Sequence, residues 1–413
     1  MRLPVLPYPP DPFAPLHPLN VPMTLAFWLA LALLVYTYLG YGAVMTALAR
    51  LRRWLAPRPD RPVPADADLP PVTLLIAAYN EADILDEKLT NIRSLRYPKE
   101  KLTVLFVTDG SSDASPERLR HEPDVQVLHR PERRGKIHAM HRAMKHVQTP
   151  ITVFSDANAM LNPDALRNLV RHYQDPTVGA VAGEKRVQTT GDSAAGAGEG
   201  LYWRYESFLK RMDAEVHSAV GAAGELFSIR TALFRPVAPD TLLDDFMLTL
   251  RIAADGFRIA YAPDAYAEEA PSASMADEMK RKVRIAAGGF QSIMRLPELW
   301  NPLRHGWLSF QYISHRVLRW TLAPAVLPVV LGLNVWLAAE SGGLYTILLG
   351  LQGAFYGLAG YGALTHNCRR GPGVLYAPFY FLAMNAAMYR GFYRFLKGRQ
   401  RVQWEKARRA VPA

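Results

Sequence analysis

Cysteine is nearly absent from this chain: the 413 residues contain one, Cys368. A single cysteine excludes an intrachain disulfide and any zinc site built from several cysteines. The chain also lacks a G-x-G-x-x-G sequence after its first apolar strand, which argues against a dinucleotide-binding fold of the usual kind. Zinc-finger, helix-turn-helix and RNA-binding signatures are missing too, so we expect no nucleic-acid partner.

Acidic residues are fewer than basic ones, and 37 Asp and Glu against 48 Lys and Arg give a net charge of +11. Much of the excess positive charge flanks apolar runs, at Arg50, Arg52 and Arg53, at Arg369 and Arg370, and within 399–409. Basic residues beside apolar segments favour contact with an anionic membrane surface. We therefore expect membrane lipids among the partners.

Residues 23–48 carry no charge and exceed the roughly 20 residues that cross a bilayer. No basic region of a signal peptide precedes them, so we interpret them as an uncleaved anchor, and the chain can start at Met1 or at Met23. The arginines that follow predict that the next domain is cytoplasmic. The predicted segments are a Pro-rich N-terminal segment (1–22), a transmembrane helix (23–48), a linker (49–71), a catalytic α/β domain (72–270), basic interfacial helices (271–312), two transmembrane helices (313–338 and 343–365), a transmembrane or interfacial helix (373–395) and a basic tail (396–413).

The region 72–270 alternates short apolar runs with helical patterns. This alternation predicts an α/β fold with a mainly parallel mixed sheet flanked by helices. One helix is predicted at 163–172, with Asn162 as N-cap and Pro163 in its first position. A Gly/Ala/Ser-rich stretch, 191–200, predicts a flexible loop. The predicted strands are Val72–Ala77, Leu102–Val107, Val125–Leu128, Ile151–Phe154 and Val178–Val181.

Carboxylates stand at points where such a sheet binds ligands. Asp109 and Asp156 each follow a predicted strand, and the pair Asp244–Asp245 precedes an apolar helix. A carboxylate at the carboxyl end of a parallel strand can bind a nucleotide, hold a divalent cation or act as a base. Each also has an ordinary interpretation as a turn residue or as a charge placed at a helix N-terminus.

Polar residues near these acids suggest complementary tasks. Tyr79 can stack on a base, Asn80 and Glu81 can hydrogen-bond to it, and Lys136 can reach a phosphate. Asp156 and Asn158 offer two oxygen ligands that suit Mg²⁺ or Mn²⁺. Taken singly, these residues could equally form a capping loop, a solvated basic turn and an Asx turn.

The order of the motifs is more informative than any one of them. The chain reads Tyr-Asn-Glu (79–81), Asp-Gly-Ser-Ser-Asp (109–113), Arg-Arg-Gly-Lys (133–136), Ser-Asp-Ala-Asn (155–158), Gly-Ala-Ala-Gly-Glu (221–225), Asp-Asp-Phe (244–246) and Lys-Arg-Lys-Val-Arg (280–284). In this order, residues 72–300 resemble the membrane-bound glycosyltransferase family 2, in its cellulose-synthase-like group with a GT-A fold. The resemblance implies inverting transfer of a sugar from a nucleotide-diphosphate donor, most often UDP-linked.

The resemblance also implies roles for individual residues. Asp245 matches the general base and Asp244 its neighbour, while Asp156 and Asn158 occupy the metal motif, with Asn in place of the second acid. The acceptor loop is matched by Gly224 and Glu225. The positions matched for nucleotide and donor binding are Tyr79, Asn80, Glu81, Asp109, Gly110, Lys136, Arg281 and Arg284.

The basic motif departs from the family pattern Gln-x-x-Arg-Trp, because Arg281 replaces Gln and Ile285 replaces Trp. In processive relatives that Trp helps to hold the terminal sugar of the polymer. Three functions therefore remain: sugar transfer to a glycan or lipid-linked acceptor in exopolysaccharide or cell-envelope synthesis, transfer of one sugar to a polyprenyl phosphate, and a catalytically silent scaffold. The expected location is a bacterial inner membrane.

Overall fold

The computed structural model describes residues 20–56, 61–188, 194–365 and 373–400. Most of the predicted Pro-rich segment 1–22, Cys368 and most of the predicted basic tail lie outside the described residues. Within the described residues, an α/β domain joins a group of long apolar helices.

An eight-stranded mixed sheet forms the centre of the α/β domain, in the order β3-β2-β1-β4-β7-β6-β8-β5. The first four strands of this order are parallel, β7 is antiparallel to both neighbours, β6 and β8 are parallel, and β5 is antiparallel to β8. The predicted mainly parallel mixed sheet is thereby confirmed. The strands are β1 Val72–Ala78, β2 Leu102–Asp109, β3 Gln126–Arg130, β4 Ile151–Asp156, β5 Met160–Leu161, β6 Val178–Val187, β7 Leu226–Arg230 and β8 Arg258–Glu269.

The sheet is covered on both faces, which explains the apolar runs of its central strands. Every residue of β1 is buried. Leu75 and Ala77 belong to the core on one face, and Leu74 and Ile76 to the core on the other, as the two-residue period of a strand requires.

The helices cover the sheet and then continue into the apolar group. They are α1 Asn20–Val35, α2 Tyr41–Leu55, α3 Leu85–Arg93, α4 Ser115–Arg120, α5 Lys136–Met144, α6 Ala165–Val170, α7 Ala194–Val216, α8 Asp244–Ala254, α9 Met275–Arg295, α10 Pro302–His305, α11 Trp307–Tyr312, α12 Leu318–Trp320, α13 Leu322–Ser341, α14 Gly343–Thr365 and α15 Gly373–Leu396.

Two local predictions differ from the structure. The helix predicted from Pro163 begins at Ala165, because the side chain of Asn162 accepts a hydrogen bond from Tyr266 N and donates one to Asp264 O in β8. Asn162 therefore joins two segments instead of capping a helix. Residues 194–200, predicted as part of a flexible loop, form the first two turns of α7.

Three described helices are long and apolar enough to cross a membrane: Val21–Leu55, Leu322–Ser341 and Gly343–Thr365. Residues 313–321, which the predicted transmembrane helix 313–338 includes, contain buried His315 and Arg316 and precede the apolar helix Leu322–Ser341. The helix α15 is not among these three, and it packs against α9 and α14.

Two π-helical turns lie in contact where the apolar helices meet the α/β domain. One is Tyr36–Gly40, between α1 and α2, and the other is Ile313–Val317, between α11 and α12. The hydroxyl groups of Tyr36 and Ser314 are hydrogen-bonded at 2.8 Å.

Candidate active site

The candidate site lies at the carboxyl edge of three neighbouring parallel strands. In β1 and β2, Ala78 is paired with Thr108, and in β1 and β4, Ala77 is paired with Asp156. The strands therefore end side by side, and the residues that follow them share one edge of the sheet. Asp109 is the last residue of β2, as Asp156 is of β4.

The side chain of Asp109 holds the Arg-Arg-Gly-Lys segment (133–136) by accepting hydrogen bonds from the backbone of that segment. Its Oδ2 atom accepts hydrogen bonds from the N–H groups of Arg134, at 2.9 Å, and of Gly135. The next residue, Gly110, has a φ of +67°, and a Cβ there would lie 2.5 Å from the Cβ of Arg133. The close approach of these two loops thus requires both the carboxylate and the glycine.

A cleft beside this contact encloses about 340 Å³, counting the space open to solvent. The guanidinium of Arg133 lies 3.8 Å from the centre of the Tyr79 ring, within the range of a cation–π interaction. The residues that line the cleft are Ala77, Ala78, Tyr79, Val107, Asp109, Arg133, Gly135, Lys136 and Ala139.

Asn80 joins the loops that follow β1 and β2. It has a φ of +53°, a conformation that Asn tolerates better than most residues. Its backbone N–H donates to Ser111 Oγ at 3.2 Å, and its side-chain oxygen accepts from Ser112 N at 2.8 Å. Glu81 is buried, and its backbone N–H donates to Ser115 Oγ.

Lys136 connects this cleft to the Ser-Asp-Ala-Asn segment. Its amine lies 2.7 Å from Asp156 Oδ1. Burial alone would lower the pKa of Lys136, but the carboxylates of Asp156, Asp244 and Asp245 outweigh it and raise this pKa. Burial raises the pKa of Asp156, and Lys136 opposes that rise. The three carboxylates therefore favour the charged form of this amine.

Asp156 and Asn158 fit a divalent cation by their donor atoms. The Oδ1 atom of Asn158 is buried and has no hydrogen-bond partner among the described residues. Two oxygen donors suit Mg²⁺ or Mn²⁺, which a bound diphosphate would help to coordinate. The described part of the chain contains no group of three or more His, Cys, Asp and Glu residues that could hold a metal ion by themselves.

Asp244 and Asp245 occupy the first turn of α8, where the helix dipole favours negative charge. Phe246 N donates to Asp245 Oδ1 at 2.8 Å, whereas Asp244 Oδ2 is buried without a partner in the described structure. Burial and the charge of Asp244 raise the pKa of Asp245 to about 7, although Lys136 lowers it. A carboxylate with this pKa can accept a proton near neutral pH.

Gly224 lies directly beside these charged groups. A Cβ at this position would be 3.3 Å from Asp245 Oδ2 and 3.5 Å from Lys136 Nζ. Since Lys136 also contacts Asp156, the structure brings together the predicted base, the predicted metal ligand and the predicted acceptor loop. The absence of a side chain at Gly224 leaves space next to the Asp245 carboxylate.

Glu225, the other predicted acceptor residue, is held in a buried ion pair. Lys185 contacts Glu225 and also lies 2.5 Å from Glu269 Oε2. Burial would raise the pKa of Glu225, but Lys185 outweighs it and lowers this pKa to about 2. Glu225 is therefore ionised and fixed in position.

The two predicted basic residues of α9 differ in their surroundings. Arg281 contacts Glu199 and lies 2.8 Å from Glu278 Oε2, so its guanidinium joins α9 to α7. Arg284 Nε is buried and lacks a hydrogen-bond partner in the described ranges. Four positions further along α9, a Cβ at Gly288 would lie 2.6 Å from Leu243, the residue before Asp244.

Sequence reasoning missed three buried lysines near the site: Lys88, Lys185 and Lys210. Lys88 donates to Ser155 Oγ, at 3.3 Å, and to Ala159 O, so it supports the segment that carries Asp156. The only signal in the sequence that could have identified these buried lysines was their position on the apolar face of a helix or within an apolar strand. That pattern does not distinguish a buried amine from an exposed one.

Comparison with protein families gives one match that spans just over half of the chain. Residues 70–288 match the family described as "Glycosyltransferase like family 2". The matched region contains the sheet, all of the acids described above and most of α9.

Curated relatives match the same half of the chain. Poly-beta-1,6-N-acetyl-D-glucosamine synthase of Staphylococcus aureus (strain MSSA476) is 26% identical over 240 residues, which cover 55% of this chain and 57% of the relative. The synthase of Staphylococcus epidermidis is 23% identical over 250 residues, 58% of each chain. This chain thus spans less than two thirds of the length of these relatives.

A solved structure of a mannosyltransferase resembles nearly the whole chain. It is a mannosyltransferase from Pyrobaculum calidifontis in complex with GDP-Man and Mn²⁺. The TM-score is 0.66 at 26% sequence identity, and the alignment covers 91% of this chain and 100% of the other.

Proposed function

The chain belongs to the glycosyltransferase-like family 2, and from this premise we propose that it is an inverting enzyme that moves a sugar from a nucleotide-diphosphate donor to a glycan or lipid-linked acceptor. The product is an exopolysaccharide or another cell-envelope glycan. The α/β domain lies on the cytoplasmic side of a bacterial inner membrane. Three helices able to cross a membrane, and the arginines that follow the first of them, support this location.

The observation that carries the proposal is the position of Asp245 beside Gly224 and Lys136. An acceptor hydroxyl in the space next to Gly224 gives its proton to Asp245 while its oxygen attacks the anomeric carbon. The bond from that carbon to the diphosphate oxygen breaks, and the electron pair leaves with the diphosphate. A single displacement of this kind inverts the anomeric configuration.

Lys136 supplies positive charge beside the diphosphate. Asp156 and Asn158 are the residues that would hold a divalent cation, Mg²⁺ or Mn²⁺. When bound, this cation adds positive charge where the leaving group becomes negative. The Mn²⁺ in the mannosyltransferase structure supports a divalent metal in this chain.

The nucleotide occupies the cleft that Tyr79 and Asp109 line, with Asn80, Glu81 and Gly110 shaping its loops. The resemblance found in the sequence favours a UDP-linked donor, whereas the mannosyltransferase binds GDP-Man. Both nucleotides are therefore donors to be tested.

Transfer of one sugar to a polyprenyl phosphate is a second candidate function. The likeness to the mannosyltransferase covers 91% of this chain and 100% of the mannosyltransferase, whereas the match to the polymer synthase from Staphylococcus aureus covers 55% of this chain and 57% of the synthase. Ile285, in place of the Trp of processive relatives, also favours a short product.

Substitution of the proposed base tests the function. The full chain in detergent is incubated with Mn²⁺, radiolabelled UDP-sugars or GDP-mannose, and membrane lipid extract, and the products are sized. We expect Asp245→Asn to reduce transfer by about 10²–10³-fold while the Kd for the donor stays within a factor of two.

The matched control is Asp255→Asn, the same substitution at an exposed position just after α8. It should leave transfer unchanged. Full activity of Asp245→Asn would refute the assignment of the base, and the absence of transfer by the unsubstituted chain from every donor would refute the proposed function.

A further inference from the structure

The face of α7 that packs against the rest of the protein carries buried acids, and each of them has a partner. Glu199 contacts Arg281. Glu206 lies 2.5 Å from Arg316 and 3.2 Å from Arg319. Asp213 is hydrogen-bonded to Tyr41 and His315.

Lys210 lies on the same helix, one turn after Glu206, and it is the exception. The residue is 4% exposed, yet its amine makes no hydrogen bond or ion pair with the described residues. Its contact is with the ring of Trp203, whose centre is 5.9 Å from Nζ. An ammonium on a buried side chain without a direct anionic partner is unfavourable, so a partner outside the protein is the expected compensation.

Trp203 adds a second unused donor. Its indole Nε1 atom is buried without a hydrogen-bond partner in the described part of the chain. Two more lysine amines, of Lys185 and Lys282, lie 4.9 and 5.5 Å from the ring centre, and both of them also contact carboxylates. The indole N–H and the Lys210 amine can only donate, so a ligand here must accept hydrogen bonds.

Contacts of Trp203 place the Lys210 amine near the acceptor side of the site, because Lys185, whose amine lies 4.9 Å from the Trp203 ring centre, also contacts Glu225. Burial and the positive charge of Arg316 lower the pKa of Lys210, and the carboxylates of Glu206, Glu225 and Asp245 act in the opposite direction without forming an ion pair with it. Two of these acids are the proposed base and the residue that follows Gly224. Lys136, in contrast, has Asp156 as its direct partner.

We propose that Lys210 and Trp203 form a subsite that binds a negatively charged group of the acceptor, a phosphate ester being the chemistry that fits an ammonium and an N–H donor. The inference rests on the proposed function, because it specifies the acceptor of the same site. A neutral glycan acceptor would leave the Lys210 amine without a direct anionic partner, whereas a lipid-linked phosphate would supply one.

Binding tests the subsite without relying on sugar transfer. In the Asp245→Asn background, the full chain in detergent is titrated with a polyprenyl phosphate, with the corresponding polyprenol and with inorganic phosphate. We expect the phosphate lipid to bind at least about tenfold more tightly than the alcohol, as for a hydrogen bond to a charged group. Inorganic phosphate should compete with the phosphate lipid if the headgroup itself is recognised.

Three further substitutions in this background separate charge from structure. Lys210→Gln should abolish the preference for the phosphate lipid, and Lys210→Arg should retain most of it. The control is Lys99→Gln, which removes an exposed lysine in the turn before β2 and should change nothing. The Kd for the nucleotide sugar should stay the same in all of these proteins, which shows that Lys210→Gln remains folded.

An equal affinity for phosphate lipid and alcohol in the Asp245→Asn protein would overturn the inference. So would a preference that survives Lys210→Gln, or inorganic phosphate that binds without displacing the phosphate lipid. Because these are binding measurements, they can fail while sugar transfer to a neutral glycan succeeds. Conversely, a missing transfer activity in the unsubstituted chain would leave the binding result intact.

Discussion

The proposed donor side and the proposed acceptor side of the site are built differently. On the donor side, Asp109 accepts hydrogen bonds from two backbone N–H groups, and Asn80 is hydrogen-bonded to the loop after β2. On the acceptor side, Asp244 Oδ2 and Trp203 Nε1 are buried without partners in the described structure, and the pKa of Asp245 is raised to about 7. In the proposed function, the donor side is thus organised for binding, and the acceptor side contains groups suited to reaction.

The comparison predicts that substitutions on the donor side change KM and that those on the acceptor side change kcat. Lys136 belongs to both sides, since it contacts Asp156 and acts on Asp245. Its removal should therefore have the largest effect of the predictions given below.

We expect Lys136→Met to lower kcat by about 10²–10³-fold, because a positive charge beside the leaving group is lost. Since Lys136 lowers the pKa of Asp245, the substitution should also raise that pKa and move the acidic limb of the pH–rate profile above pH 7. Steady-state kinetics between pH 5.5 and about 9 measure both effects. A limb that does not move would show that Lys136 and Asp245 are not coupled.

The unsubstituted protein should lose activity in acid because Asp245 must be deprotonated to act as a base. With its pKa raised to about 7 by burial and by Asp244, kcat/KM should fall about tenfold per pH unit below that value and level off above it. Asp244→Asn removes a charge that raises this pKa, so the limb should move to lower pH. A limb that stays in place after Asp244→Asn would contradict the assignment of the base.

Asp109→Asn tests the donor side. The amide oxygen can still accept hydrogen bonds from Arg134 N and Gly135 N, but it lacks the charge that strengthens them. We expect KM for the nucleotide sugar to rise about tenfold with little change in kcat. A fall in kcat at unchanged KM would show that the division into a binding side and a reacting side is wrong.

The smallest effect is expected at Arg133, whose guanidinium stacks on the Tyr79 ring. Arg133→Ala should raise the donor Kd by about two- to fivefold, the size of an exposed cation–π interaction. Isothermal titration with the nucleotide alone measures it, and Arg133→Lys should restore part of the loss. An unchanged Kd would mean that the stacked pair does not shape the nucleotide cleft.

The sequence was sufficient to predict the carboxyl edge of the sheet. An apolar run followed by Asp marks the end of a buried strand, and both Asp109 and Asp156 lie where this pattern places them. The antiparallel strand β7 between β4 and β6 was not predicted, because a five-residue apolar strand carries no mark of its direction. Only the pairing across the sheet determines it.

Long-range ion pairs could not be predicted from the sequence either. Arg281 was predicted to bind the donor, and its contact with Glu199 joins residues 82 positions apart in the chain. Asn162 illustrates the same limit on a local scale, since its helix-capping pattern was overridden by β8. Roles of the individual site residues stay predictions until the substitutions above are measured.

The π-helical turn Tyr36–Gly40 has a consequence for the orientation of the first apolar helix. A π turn holds one residue more than an α turn, and one residue of an α-helix corresponds to a rotation of about 100°. The extra residue therefore rotates the side chains of α2 about the helix axis relative to those of α1. This rotation lets Tyr41 of α2 face Asp213 of the α/β domain while Phe27 of α1 faces α13. The two contacts thus lie on different sides of the same helix axis.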